Sequence, residues 1–265
     1  MKKITILGGG NMGFTYAASI YKSDLEATIQ ILENAPERIE EINALNTVMA
    51  GNDLEVLKDT DVLFLAVKPQ VAPEVFKNIK PYLNQEQLVV SIMAGVSIET
   101  IQEGLGLDRV VRAMPNLPAQ VKLGMTTYVG SSGVGQEELA FIASVLGATG
   151  KIAEVPSEEQ LDRSIGISGS GPGFVFYFMD AMEKSAMDLG FSSAAAKTMV
   201  AQTFEGAVAL YKKNSISLES WMDRVSSKGG TTIAGLDYFE EKQVGKEIQK
   251  GIQVCVSRAF ELGKK

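Results

Sequence analysis

The chain has no histidine among its 265 residues. That removes the general acid–base of most dehydrogenases and the commonest transition-metal ligand. Cysteine is almost missing: Cys255 is the only one, so no disulfide forms within the chain, and a zinc dehydrogenase site lacks its ligands. Such a composition suits a reducing cytoplasm. Positive charge is also short. With 25 Lys and Arg against 32 Asp and Glu the net charge is −7, which argues against a nucleic-acid backbone or an anionic membrane as the main partner. Long hydrophobic runs are absent. The most apolar stretch, Ile165 to Met179, is dotted with Gly, Ser and Pro and stops at Asp180, too short for a bilayer. The N-terminus enters the first strand without an apolar leader, again as expected of a cytoplasmic protein. Proton chemistry must therefore use hydroxyls, lysines, carboxylates, backbone or water, and no metal site is expected.

What is present begins at Lys3. Residues Lys3 to Ala18 read KITILGGGNMGFTYAA. Ile4, Ile6 and Leu7 make a short β-prone run, Gly8, Gly9 and Gly10 break it, Gly13 follows, and Phe14 to Tyr21 reads as a helix. This is strand, G-x-G-x-x-G, helix. Gly8 allows the tight turn, Gly10 lets a pyrophosphate approach the backbone, and Gly13 lets helix and strand pack closely. The helix start offers unpaired N–H groups to the phosphates. The next strand, Ile29 to Leu32, ends in Glu33, twenty positions past Gly13, where a carboxylate is expected to grip an adenosine ribose. A dinucleotide site is the stronger reading; a bare structural turn is the weaker.

Apolar content of 45% provides a sizeable core, and the length suits one large domain or two modest ones. Pro36 fits the first turn of a helix to about Leu45, and Asn52 with Glu55 resembles a capping pair. Asp61 to Val67 and Leu88 to Ile92 are near-continuous apolar runs, as in strands buried on both faces of a parallel sheet. Val71 to Tyr82 and Ile98 to Gly104 read as helices between them, and Arg109 to Ala113 as another strand. The alternation predicts an open, doubly wound α/β sheet. Met125 to Val129 and Ile152 to Val155 read as two further strands flanking a helix at Gln136 to Leu146. From Ser157, which with Gln160 forms a capping-box pattern, the chain reads as helical: Pro172 to Leu189, Ser193 to Lys212 and Val244 to Leu262. The expected boundary lies near Pro156, with 1–156 binding the nucleotide and 157–265 all-α. Two of these helices are apolar over wide arcs, which favours a subunit partner over a thick monomer core.

Three further segments carry chemistry. Ala66-Val67-Lys68-Pro69 follows a central strand, where ligands of open α/β sheets bind. Ser168 to Gly173 (SGSGPG) either packs tightly or lines a site. Val225 to Ile233 (VSSKGGTTI) joins two glycines and four hydroxyls to a helix start, a place that attracts a carboxylate; its bland reading is a Thr-capped helix. The set GGGNMG (8–13), AVKP (66–69), AGVS (94–97), RAMPNLPA (112–119), SGSGPGFVF (168–176) and VSSKGGTTI (225–233), in this order and across essentially the whole chain, resembles Δ1-pyrroline-5-carboxylate reductase.

The resemblance implies an N-terminal Rossmann-type domain with a doubly wound, mostly parallel sheet, then an all-α C-terminal dimerisation domain, with homodimers assembling further into a decamer. It implies reduction of a cyclic imine to L-proline with NADPH or NADH, the last step of proline biosynthesis. Leu7, Gly8, Gly9, Gly10, Asn11, Met12 and Gly13, with Ala66, Val67, Lys68, Pro69, Ile92, Met93 and Ala94, would surround the dinucleotide. Ser227, Gly230 and Thr231 would hold the substrate carboxylate, and the Thr232 hydroxyl would face the ring nitrogen as the catalytic group. A protonated iminium accepts hydride without a strong histidine acid, so positioning does most of the work, with nicotinamide C4 about 3–3.5 Å from the imine carbon.

The chain departs from the family pattern at Leu117, where a threonine is frequent, at Lys228, where a proline is frequent, and at Gly173-Phe174, where Ala-Tyr stands. Glu33-Asn34-Ala35-Pro36 offers no cation for a 2′-phosphate before Arg38, so Glu33 and Asn34 lean toward NADH or dual use. The competing readings are a β-hydroxyacid dehydrogenase, with Lys184 or Lys197 as base, and a nucleotide-sensing regulatory protein. The hydroxyl-rich 225–233 loop supplies no base and disfavours the first.

Overall fold

A computed structural model describes residues 1–263 of the chain. By packing they fall into two compact units: Met1–Pro172 together with the segment from Cys255 onward, and Gly173–Val254.

The first unit is built on one eight-stranded sheet. In chain order its elements are β1 (Lys2–Leu7), α1 (Asn11–Tyr21), β2 (Ala27–Leu32), α2 (Pro36–Ala44), β3 (Met49–Gly51), β4 (Val62–Leu65), α3 (Ala72–Ile79), β5 (Leu88–Ser91), α4 (Ile98–Leu105), β6 (Val110–Met114), β7 (Gly124–Gly130), α5 (Gln136–Gly147), β8 (Gly150–Glu154) and α6 (Glu158–Ser164). The strand order is β3-β2-β1-β4-β5-β6-β7-β8. The first six in this order are parallel; β7 pairs antiparallel with β6, and β8 runs parallel to β7. The order reverses between β1 and β4, which is the switch point of a dinucleotide-binding sheet.

Successive strand side chains point to opposite faces, so each central strand feeds two cores. Ile4, Ile6, Val62, Phe64, Val90 and Val111 meet Tyr16, Ala17 and Ile20 of α1, Ile42 of α2, and Ile142, Val145 and Leu146 of α5. Leu7, Leu63, Leu65, Val89 and Val110 meet Leu57 from the turn before β4, Phe76 and Ile79 of α3, and Ile98, Ile101 and Leu105 of α4. Burial on both faces explains why β4 reads VLFL with no polar alternation: all four residues are buried. Ser97 caps α4 by accepting the Thr100 N–H at 3.1 Å, and Gly106 ends it at φ 74°.

One buried charge ties the sheet to the chain that follows. Arg112 of β6 is 2% exposed. Its Nη1 donates to Glu158 Oε1 at 2.5 Å and its Nη2 to Asp162 Oδ1 at 2.8 Å. Glu158 also accepts the Ile98 N–H at 2.9 Å, so α6 is pinned both to β6 and to the start of α4. A guanidinium in this position needs both carboxylates, because an unpaired buried charge costs several kcal/mol. After α6 the helix widens into a π turn over Ile165–Gly169, with the Ser170 N–H bonding the Ile165 carbonyl at 2.7 Å.

The later helices are α7 (Gly171–Asp188), α8 (Ser193–Lys213), α9 (Leu218–Val225), α10 (Thr231–Glu241) and α11 (Val244–Gly263). Within the second unit little of their apolar surface is covered. Phe176, Tyr177, Met182, Leu189 and Phe191 are all exposed, and a groove of about 770 Å³ runs between Tyr177, Phe178, Met182, Leu189, Phe191 and Met199. An apolar face of this extent is the mark of an association surface. Among the described residues no helix is long and apolar enough to cross a membrane.

Candidate functional site

The predicted dinucleotide residues come together at one end of the central strands. Leu7 ends β1 and passes into Gly8–Gly13. Glu33 and Asn34 follow β2. Ala66 to Pro69 follow β4, and Ile92 to Ala94 follow β5. All four connections leave the C-terminal ends of neighbouring strands, with β1 between β2 and β4. Strand-like bonds continue into them: Gly8 N to Leu32 O at 2.8 Å, Ala66 N to Leu7 O at 2.9 Å, and Ile92 N to Leu65 O at 3.1 Å.

The glycines have separate reasons to be there. Gly8 has φ +106°, and a Cβ on it would lie 2.8 Å from the Ala66 carbonyl oxygen. A Cβ on Gly13 would collide with the Gly8 carbonyl oxygen and sit 3.1 Å from Ala66 Cβ, so α1 packs against the loop only without one. Gly10 is different: a Cβ there would meet nothing within 4 Å. Packing does not require glycine at this place. The open space lies in front of the first residue of α1, whose N-cap is Gly10 and whose start has no side-chain cap. The leading N–H groups of the helix have no partners within the helix, and the positive end of its dipole faces the same space. The charge and donor supply of this cradle suit a pyrophosphate.

Glu33 is held by the backbone. Oε2 accepts the Gly9 N–H at 2.8 Å, and Oε1 accepts those of Asn34 at 2.8 Å and Ala35 at 3.0 Å. Along the chain Arg38 is only a distant cation, yet its Nε donates to the Gly9 carbonyl at 2.8 Å. Only contact across 29 positions makes that visible.

Ser227 to Thr232 belong to the second unit. The Gly230 N–H bonds the Ser227 carbonyl at 2.8 Å, closing a turn in which Gly229 has φ +72°. That turn brings the Ser227 hydroxyl beside Gly230, the N-cap of α10. No side chain caps this start, so Thr231 does not cap its own helix, against the bland alternative. Ser227 and Thr231 are exposed and Thr232 is half-buried. The Gly230 N–H is taken by the turn, and the loop presents the Ser227 hydroxyl together with the uncapped N–H groups from Thr231 on, a donor set for a small carboxylate.

Two other predicted segments are joined within the first unit. The Asn116 side chain donates to the Ser168 carbonyl at 2.9 Å and accepts the Met125 N–H at 2.9 Å. The SGSGPG segment is therefore partly a packing device, tied to the double-proline loop. Leu117 is exposed. Lys184 is exposed and paired with Asp180 at 2.6 Å, and that carboxylate raises its pKa above the ordinary lysine value. A general base needs the opposite shift. Among the described residues no cluster of carboxylates and cysteine could hold a metal.

Comparison with known proteins agrees with this layout. Residues 158–262 match the family model for pyrroline-5-carboxylate reductase dimerisation, and residues 3–95 match that for NADP oxidoreductase, coenzyme F420-dependent. A pyrroline-5-carboxylate reductase of Synechocystis is 34% identical over 266 residues, covering 99% of each chain. The Escherichia coli protein of the same name is 33% identical, again over 99% of each. The chain belongs to the pyrroline-5-carboxylate reductase family. Among solved structures of that family, the Coxiella burnetii enzyme superposes with TM-score 0.91 at 29% identity, covering 99% of this chain and 98% of its own. The Plasmodium falciparum pyrroline carboxylate reductase, solved with NADP bound, gives 0.88 at 26% identity over 99% and 98%. Family membership makes the chain an NAD(P)-dependent oxidoreductase with a helical dimerisation region.

Proposed function

We propose that this protein reduces 1-pyrroline-5-carboxylate to L-proline, the last step of proline biosynthesis. The observation that carries the reading is the open, uncapped start of α1 at Gly10, on a chain that matches this family from end to end. When bound, NADH or NADPH supplies the hydride for the C=N bond. Every other task falls to the chain. Leu7 to Gly13, Glu33, Asn34, Ala66 to Pro69 and Ile92 to Ala94 hold the dinucleotide. The Ser227 hydroxyl and the Thr231 backbone N–H, on the turn that passes through Gly230, hold the substrate carboxylate, and the Thr232 hydroxyl orients the ring nitrogen and its proton. Residues 1–156 serve the cofactor and 157–265 serve dimerisation and substrate, with homodimers assembling toward a decamer in the cytoplasm. The uncovered apolar groove of the second unit supports the dimer.

Glu33 supports NADH use at least equal to NADPH. Its carboxylate already accepts three N–H groups and keeps a lone pair for a ribose hydroxyl, whereas a 2′-phosphate would meet a like charge. The test is loss of reduced-nicotinamide absorbance with 1-pyrroline-5-carboxylate, run in parallel with NADH and NADPH. Turnover with both, at similar kcat/KM, is expected. No turnover in protein that binds the cofactor overturns the substrate; a strong NADPH preference that survives Glu33→Ala overturns the cofactor assignment.

A further inference from the structure

The main chain of Gly9 is held on both sides by charged side chains. Its N–H donates to Glu33 Oε2 at 2.8 Å, and its carbonyl accepts from Arg38 Nε at 2.8 Å. Glu33 follows β2 and Arg38 lies in the first turn of α2, so a single β–α connection supplies both. Among the described residues the two side chains form no direct ion pair; they meet through the glycine. A second guanidinium nitrogen is also engaged. Nη1 donates to Glu41 Oε2 at 2.8 Å, and the group lies over the Phe14 ring of α1, 5.5 Å from its centre. The side chain is only 31% exposed.

A trans peptide is planar, with its C=O and the following N–H pointing in opposite directions. By holding the Gly9 carbonyl on one side, Arg38 aims the Gly10 N–H to the other. The surroundings of Gly10 are open: a Cβ on it would meet nothing within 4 Å. A cation on the carbonyl also polarises the peptide and makes that N–H a stronger donor. We propose that Arg38 is a positioning residue for the dinucleotide, which aims and polarises the Gly9–Gly10 peptide toward the pyrophosphate and so acts equally on NADH and NADPH. The alternative for an arginine placed after β2 is direct capture of a 2′-phosphate. Nε and Nη1 already have partners, which leaves Nη2 alone for that role. This inference rests on the dinucleotide reading given above.

Direct titration of NADH and NADPH into the full-length protein, followed by fluorescence, tests it. Arg38→Met keeps an unbranched apolar stem and removes the donors together with the cation over Phe14. Both dissociation constants should rise by a similar factor, about 10-fold, as for loss of a charged hydrogen bond, while kcat is retained. Arg38→Lys should recover most of the affinity. Hydrogen exchange of the apo protein, read by mass spectrometry, should quicken in the peptide covering residues 4–13 of Arg38→Met and not across the molecule. A loss confined to NADPH, unchanged affinity for both, or exchange that quickens everywhere overturns the proposal. If the wild type binds neither cofactor, the dinucleotide reading itself has failed; if it binds both and the variants match it, only the role of Arg38 has.

Discussion

The Asn116 side chain joins three backbones: it donates to the Ser168 carbonyl and accepts the Met125 N–H, both at 2.9 Å, from its own position after β6. One amide thus holds the double-proline loop, the start of β7 and the π turn in a single arrangement. π turns are rare and recur at functional sites, and Asn116 ties this one to the sheet.

Asn116→Ala should therefore lower stability by about 2 kcal/mol, since it leaves two partly buried backbone groups without partners. Urea denaturation of wild type and variant measures this. A change below about 0.5 kcal/mol would mean that the three segments hold themselves.

The glycines of the first loop separate folding from binding. Gly13→Ala puts a methyl group against the Gly8 carbonyl and should both destabilise the protein and abolish dinucleotide binding. Gly10→Ala adds its methyl group to open space at φ −64°, so the melting temperature should stay within a degree or two while affinity for NADH and NADPH falls at least tenfold. Unchanged affinity in Gly10→Ala would place the pyrophosphate elsewhere.

Thr232→Ala removes the hydroxyl assigned to the ring nitrogen. Its expected effect is a fall in kcat of about 100-fold with dinucleotide affinity nearly unchanged. Steady-state kinetics beside cofactor titration distinguishes this from a general loss of structure, and normal turnover would remove the residue from the mechanism.

Alkaline stability should track a buried tyrosine. Tyr16 is fully buried, bonds Thr126 at 3.0 Å, and burial raises its pKa above the ordinary tyrosine value. The native state keeps this proton when the unfolded chain, with a pKa of about 10, has lost it. The contribution is complete below pH 10 and is lost as the pH climbs toward the native value. Tyr128, also raised by burial, acts in the same direction. Tyr16→Phe should cost about 1 kcal/mol near neutral pH and make the decline above pH 10 shallower. An unaltered slope between pH 10 and 11 would show that another group sets it.

Much of the fold was legible because parallel strands buried on both faces leave an unmistakable apolar run, and because glycines before a helix have few other uses. VLFL at β4 and LVVS at β5 are examples. Other elements left no periodic trace. β3 has three residues, too few to show a period, and exists because Gln30, Ile31 and Leu32 offer it an edge. The turn at Leu54–Asp59 is a 3-10 helix capped by Asp53, not by the Asn52 that the spacing suggested. α9 fills a stretch, Leu218–Val225, with no expected element. β7 was expected as a strand, but its antiparallel direction depends on pairing with β6, which no local pattern encodes.

The sequence by itself determined the local units and their chemistry: a glycine turn before a helix, an acid after the second strand, a hydroxyl-rich loop at a helix start, and no histidine to work with. These follow from backbone sterics and side-chain donor types, which act over a few residues. Only the tertiary structure decided that Gly10 faces open space while Gly13 is walled in, that Arg38 reaches back to Gly9, that Asn116 meets Ser168, and that Arg112 lies buried between two carboxylates. Those relations span from a few to more than fifty positions. They exist only because burying both faces of one sheet brings distant segments to fixed separations, where a hydrogen bond or an ion pair can form.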